Sequence, residues 1–390
     1  MLSMRKRVIL AKLESTYGTD STPAAADAIL CSNLQLSPLE GSDVKRDFIR
    51  PFFGNPGSIR VENYAKLTFD HELAGSGAAG TAPEFSSLLK AANFSETITA
   101  AAITGTAQTG STTSTIKLAA AASAVDDFYT GMSITITGGT GSGQTREVIG
   151  YVGSTKVCTL ATNWVTTPDA TSLYSLGANV IYTPNSAFGT ASNSSVTIYF
   201  NIDGTRHVLL GARGNFKLDV SVKQIPKMSW EFTGLLGTIS DVALPSADFT
   251  GWQTPVTVST ANTTDINLLG YTGAVFEKLM VDIGNSIVYR QLVGAESVLI
   301  TDRNIAADFT IEAVSVATKD WWTSAKNSAT GAFCIKHGQT AGNVVGLTAP
   351  KVQIATPNYS DSDGVAMFSG KLNMTPSAAA GNDELRICFK

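Results

Sequence analysis

The sequence predicts an all-β protein, and three observations carry the prediction. The first is alternation. Within residues 196–234, Val196, Ile198, Phe200 and Ile202 alternate with Thr197, Tyr199, Asn201 and Asp203. Phe216, Leu218, Val220 and Val222 alternate with Lys217, Asp219, Ser221 and Lys223, and Met228, Trp230 and Phe232 with Ser229, Glu231 and Thr233. Side chains on a strand point to opposite faces with period two, so these are three half-buried strands. The second observation is punctuation: Asp203-Gly204, the segment 211–215 and Ile225-Pro226 divide the stretch into an antiparallel meander. The third is composition, with 35 Gly, abundant Ser and Thr, and few apolar residues at helical spacing.

A chain of 390 residues, 43% hydrophobic and 15% charged, is long enough for two domains or for one large β domain with an insertion. Its 28 Lys and Arg against 32 Asp and Glu give a net charge of −4, which disfavours a tight DNA binder. Cys31, Cys158, Cys334 and Cys388 are far apart with no CxxC pair. They read as small buried residues in a reducing compartment and not as a disulfide framework. The basic residues near the start have no apolar stretch of signal-peptide length behind them, and no window approaches the ~18 apolar residues of a membrane span. Cytosolic synthesis without membrane insertion is the expectation.

Taken in order, residues 4–15 (MRKRVILAKLES) are a basic, partly apolar arm, either a first strand or a segment that orders on a neighbour. Residues 29–36 read as a short strand. Residues 38–60 carry clustered charges, Phe52 and Phe53, and turn residues at 54–57, a length that compact domains reserve for functional or disordered connections. Paired aromatics beside Arg50 and Arg60 have the composition of an interface hot spot, which sets an oligomer contact against a solvated excursion. Residues 62–73 alternate as a strand. Behind the Gly-rich turn at 75–80, Thr81 is placed to cap a helix with Pro83 in its first turn and Phe85, Leu88, Leu89 and Ala92 on one stripe.

Residues 101–179 differ in character, with seven charged residues among 79 and Thr, Ala, Ser and Gly in their place. They read as a small inserted β domain with strands at 116–118, 132–137, 146–151 and 156–160 and with Trp164 and Tyr174 in its core. Beyond the meander, 278–290 reads as a hairpin through Gly284-Asn285, and 298–303 and 309–316 as strands. Thr318 is placed to cap a second short helix whose Trp321 and Trp322 pack, and 347–355 and 385–389 close the sheet system.

The run DGTRHVLLGARGNFKLDV at 203–220, followed by Pro226 and by SWEFTG at 229–234, resembles the central segment of the major tail tube proteins of long-tailed bacteriophages. The likeness covers most of the chain outside 101–179. SETIT at 95–99 and IYTPNSAFGTASNSSVTIYF at 181–200 are similar to segments that adjoin in relatives without an insert. The resemblance implies a tail-tube-type β-sandwich or barrel formed by 1–100 and 180–390, with 101–179 on the outer surface. It further implies a non-enzymatic virion protein, assembled in the bacterial cytoplasm, whose hexameric rings stack into the hollow tail for DNA ejection. Its expected partners are itself, a tape measure protein in the lumen, tail terminator and tail tip proteins, and phage DNA in transit without tight binding. The family's long early loop engages the adjacent ring, which gives Arg50, Phe52, Phe53 and Arg60 a ring-stacking role.

Other readings are weaker. GGTGSGQT at 138–145 nearly matches a phosphate loop, but Gln144 stands where the lysine is needed and the loop leads into a strand. Asp361-Ser362-Asp363-Gly364 lacks the other ligands of a calcium loop and reads as a turn. His71, His207 and His337 have no metal-ligand spacing, and no GxSxG elbow occurs. No cofactor is expected. A receptor-binding tail fibre or adhesin subunit is the alternative function, suggested by the same Thr, Ser and Gly-rich composition, and a tail-tip enzyme comes third.

Overall fold

The computed structural model describes residues 2–191 and 193–390 and is mainly β, with two short α-helices. The first stretch contains β1 (Arg7–Leu13), β2 (Ala28–Ile29), β3 (Ser32–Glu40), β4 (Asp43–Lys45), β5 (Ser58–Arg60), β6 (Tyr64–Glu72), α1 (Ser86–Ala91) and β7 (Phe94–Thr99). Then come β8 (Ile103–Thr106), β9 (Thr115–Lys117), β10 (Ser133–Gly138), β11 (Thr145–Val152), β12 (Val157–Leu160) and β13 (Leu173–Leu176). The central stretch holds β14 (Asn179–Pro184), β15 (Val196–Ile202), β16 (Thr205–Ser221) and β17 (Lys227–Asp241). It is followed by β18 (Thr263–Leu268), β19 (Phe276–Asp282), β20 (Asn285–Leu292), β21 (Ala295–Arg303) and β22 (Ala306–Glu312). The last part is α2 (Trp321–Lys326), β23 (Thr330–His337), β24 (Val345–Ser362), β25 (Val365–Met374) and β26 (Arg386–Phe389).

The segment 4–15 supplies β1, which pairs antiparallel with β15 from Arg7↔Ile202 to Leu13↔Val196. The meander β15–β16–β17 lies at the middle of a 16-stranded sheet, and its inward residues join the largest core cluster. Phe69, Phe216 and Phe232 surround Trp230, with ring centroids 4.8 Å apart for Phe216 and Trp230 and 5.6 Å for Trp230 and Phe232. Each such ring removes apolar area worth roughly 1.5–3 kcal/mol from water.

Four details differ from the sequence expectation. β15 is buried on both faces and not half-buried, because Tyr199 on its second face packs with Val8, Leu10, Ala28 and Val208. Residues 211–215 do not turn: β16 runs unbroken for 17 residues. The ladder to β17 shifts register between Leu210 and Arg213, and Gly211, at φ +56°, takes up the bulge. Residues 278–290 are not a hairpin, since β19 pairs with β16 and β22 while β20 pairs with β21. Neither helix is capped as expected. Phe85 occupies the N-cap of α1 without a side-chain bond, and Asp320 caps α2 by accepting from the Thr323 amide at 2.8 Å. The expected apolar stripe of α1 is buried all the same, in Phe85, Leu88, Leu89 and Ala92.

Residues 103–176 make a separate six-stranded sheet, in the order β8-β13-β10-β11-β12-β9. β8 and β13 are strands the sequence reading missed, and Trp164 and Tyr174 lie in the core of this sheet. The chain leaves and re-enters the large sheet side by side, with Thr99 paired to Asn179. Contact between the two sheets is buried and partly ionic. Ile181 and Cys388 enter the small core, Asn267 donates to the Ala161 carbonyl at 2.6 Å, and the Lys390 ammonium pairs with Glu147 and with Ser133 Oγ. Burial works against the Lys390 charge, but Glu147 outweighs it and holds the ammonium proton more tightly than in water. Truncating one partner of a buried pair strands the other, so Glu147→Ala should cost about 3–5 kcal/mol in urea unfolding. A loss under about 1 kcal/mol would show that water reaches the pair.

His71 is buried against Phe85, Trp230 and Trp252, with Nδ1 donating to the Glu72 carbonyl at 2.9 Å. Burial pushes its pKa down to about 4, against the opposing pull of that carbonyl and of Asp70. The unfolded imidazole takes up a proton near its ordinary value, and the folded one does so only near pH 4. Stability is therefore lost as pH falls from about 6.5 to about 4, by up to roughly 3 kcal/mol. His71→Gln should flatten that part of the pH–stability profile relative to wild type, and an unchanged slope would contradict the assignment.

Candidate self-association surfaces

Two arms stand off the large sheet. The first is residues 41–63, where β4 and β5 pair over three residues and the chain between them runs on as a tip. Its root is braced by Arg60, which donates from Nε to the Glu62 carbonyl at 3.0 Å and from Nη2 to the Leu39 carbonyl at 3.1 Å. Arg60 Nη1 also lies 3.7 Å from Asp43. These bonds place Arg60 in the root of the arm, half-buried and away from the contact surface expected for it.

The tip carries the other named residues, together with two that the sequence reading passed over. Phe52 is 65% exposed and Phe53 fully so, and Phe48 and Ile49 stand in water beside them. The Arg50 guanidinium lies 5.9 Å from the Phe52 ring centroid, and that of Arg46 lies 4.9 Å from Phe48. Val44 and Ile59 at the base are more than half exposed. Large apolar side chains left in water each forgo roughly 1.5–3 kcal/mol, and a contiguous group of them with arginines matches what protein interfaces bury. A tally of every apolar residue in 41–63, beyond the Phe52-Phe53 pair, would have found Phe48 and Ile49.

The second arm, β20 and β21, pairs over its length from Asn285↔Arg303 to Leu292↔Ala295. It is seated on the body. Tyr289 stacks on Tyr64 at 4.7 Å, the Val298 amide donates to Tyr17 Oη at 2.6 Å, and the Val298 carbonyl accepts from Arg213 at 2.8 Å. Arg213 is fully buried over the Tyr17 ring and also donates to the carbonyls of Gly189 and Asn193. This arm is hidden in the sequence because Gly284-Asn285 has the composition of a hairpin turn. Gly284, at φ +65°, instead swings the chain out of the sheet.

Strand edges are the remaining feature. Among the described residues β3 pairs with β6 alone, and β24 beyond Gln353 pairs with β25 alone, so each has one row of backbone groups facing outward. Enzyme-like features are weak by comparison. Gln144 donates to the carbonyls of Gly141 and Thr166 and accepts from the Val165 amide, so it serves its own turn. Asp361–Gly364 is the β24–β25 turn, with Asp363 and Gly364 at positive φ. His337 bonds Thr263 and the Val256 carbonyl, and among the described residues no group of three His, Cys, Asp or Glu is placed to hold a metal ion. No protein-family model matches the chain, and no curated protein matches it in sequence.

Proposed function

We propose that the chain is a self-assembling tube subunit of the tail tube type, whose copies close into rings that stack around a hollow axis through which phage DNA passes. The observation that carries the reading is the 41–63 arm, which presents Phe48, Ile49, Phe52 and Phe53 to water around Arg46 and Arg50. A surface of that composition is built to be covered, and in this reading another copy covers it, with the tip reaching the next ring.

The open edges of β3 and β24 support the same reading, since closing strands around a ring pairs edges that would otherwise template aggregation. Contacts that join unlike surfaces close into rings or propagate as filaments, and stacking adds the axial direction. The segment that carries the tail tube likeness, 203–234, is the centre of the large sheet. Its partners in this proposal are further copies, a tape measure protein that fills the lumen before ejection, and terminator and tip proteins at the two ends. A net charge of −4 per chain suits transit of DNA without counterion-driven retention. Residues 101–179 lie outside the wall, entering and leaving through the neighbouring strands β7 and β14.

Phe52→Ser with Phe53→Ser tests the reading. Both side chains are exposed, so the subunit should keep its unfolding free energy within about 0.5 kcal/mol of wild type while losing elongation in sedimentation and light scattering. Wild-type-like polymer from the double variant would overturn it.

A further inference from the structure

The 16-stranded sheet contains one six-strand arrangement twice. In the first half the neighbours run β3-β6-β17-β16-β15-β1, every pair antiparallel. In the second they run β19-β22-β25-β24-β23-β18, again antiparallel throughout. Ranked by position in its own half, the strand order is the same in both: second, third, sixth, fifth, fourth, first. The connections agree as well. An arm separates the second and third strands in each half, and the two have the same length, 63 − 40 = 23 residues and 305 − 282 = 23 residues. A six-residue helix follows the third strand in each, α1 or α2, and each helix ends two residues before a non-glycine at positive φ, Asn93 or Ser328. Relative to the second half, the first carries the extra block from β7 to β14, which includes the small sheet.

The halves are joined by a strand contact that only one of them receives. Where β15 leaves β16 at Ala212, β19 of the second half takes its place, from Lys217↔Asp282 to Ser221↔Lys278. The equivalent edge on β24 begins where β23 leaves it at Gln353 and has no strand among the described residues. The equivalent of β19 is β3, whose outer edge is also empty. The arms show the same asymmetry. The second-half arm rests on β16 and β17 of the first half, and its Val298, Leu299 and Ile300 are buried. The first-half arm has no such seat, and Val44 and Ile59 at its base are exposed.

We infer that a ring of this protein holds three copies, which supply six repeats, and that β3 of one copy pairs with β24 of the next just as β19 pairs with β16 within the chain. This rests on the ring-building reading and sets three copies in place of the six that the sequence resemblance implies. Following the ladders of each half, Lys217–Asp219 correspond to Ser360–Ser362 and Met280–Asp282 to 37–39, which places Ser362 opposite Ser37. Pro38 removes at most one donor from the new ladder, as suits an edge strand that must not pair indiscriminately. The same operation seats the first-half arm on β24 and β25 of the neighbouring copy, where Tyr359 and Val365 are exposed, and leaves both arm tips, Phe52-Phe53 and Leu292-Val293, free for the next ring.

The test is a Ser37→Cys, Ser362→Cys variant of the full chain in a Cys31→Ser background, the other three cysteines being buried. Assembled rings are joined by oxidation or by a short bis-maleimide and run on a denaturing gel, beside mass measurement of uncross-linked wild-type rings. The expected result is a covalent series that stops at three copies, absent from either single variant, with wild-type rings of three-copy mass. Wild-type rings of six copies would overturn the inference and leave the ring-building reading standing, as would three-copy rings whose variant assembles without cross-linking. Wild-type protein that forms neither rings nor tubes would overturn the ring-building reading itself.

Discussion

The constraint on which this structure depends is that a β-strand carries hydrogen-bonding groups on both edges, and each row must find a partner or face water. A sheet of 16 strands, 12 of them in two six-strand repeats, has many rows to satisfy. Most are closed by the adjacent strand of the same repeat. The joint between repeats is closed by the β16–β19 ladder, where Lys217 and Asp282 lie opposite each other with their charged groups 3.0 Å apart. What is left over is one outward edge on β3 and one on β24, each carrying both N–H donors and C=O acceptors, and in the proposed ring these pair with each other and the arm of residues 41–63 is seated beside them. A part whose seat is on another molecule looks, in a single chain, like exposed apolar surface.

Buried charge does a second job, which is to fix the pieces relative to one another. Arg213 bonds only carbonyls and a tyrosine face, so burial lowers its pKa, with Tyr17 and Glu14 opposing the shift. It ties the second arm, Gly189 and Asn193 to β16. Lys390 and Glu147 do the corresponding work between the two sheets, and Lys336 with Asp265, 3.0 Å apart, adds a partly buried pair on the same side. Such pairs contribute little net stability over an apolar alternative, but a misplaced partner is costly, so they select one arrangement.

Much of this was legible in the sequence because period-two alternation survives wherever one face is wet. Residues 62–73 read as a strand and form β6, and the aromatics Phe69, Trp230 and Phe232 fall in the core their parity assigns them. Glycine misled in two places. At 211–215 it marks a bulge inside one long strand, and at 284 it marks the exit into an arm; turn signals report local backbone freedom and not what the chain does next. Arg50, Phe52 and Phe53 were recognisable as an exposed group from composition alone. Arg60, with the same charge in the same segment, is drawn into the root by Asp43 and two carbonyls, which only geometry reveals. The internal repeat was not legible at all, because it lives in strand order. Residues at matching junction positions, such as Lys217 and Ser360, have no likeness in type.

Electron microscopy of the purified full-length protein tests the central claim most directly. The account predicts tubes of uniform diameter with an axial hole, made of rings at a regular rise, under conditions where the protein remains folded. Dispersed monomers or solid trimeric rods from folded protein would contradict it.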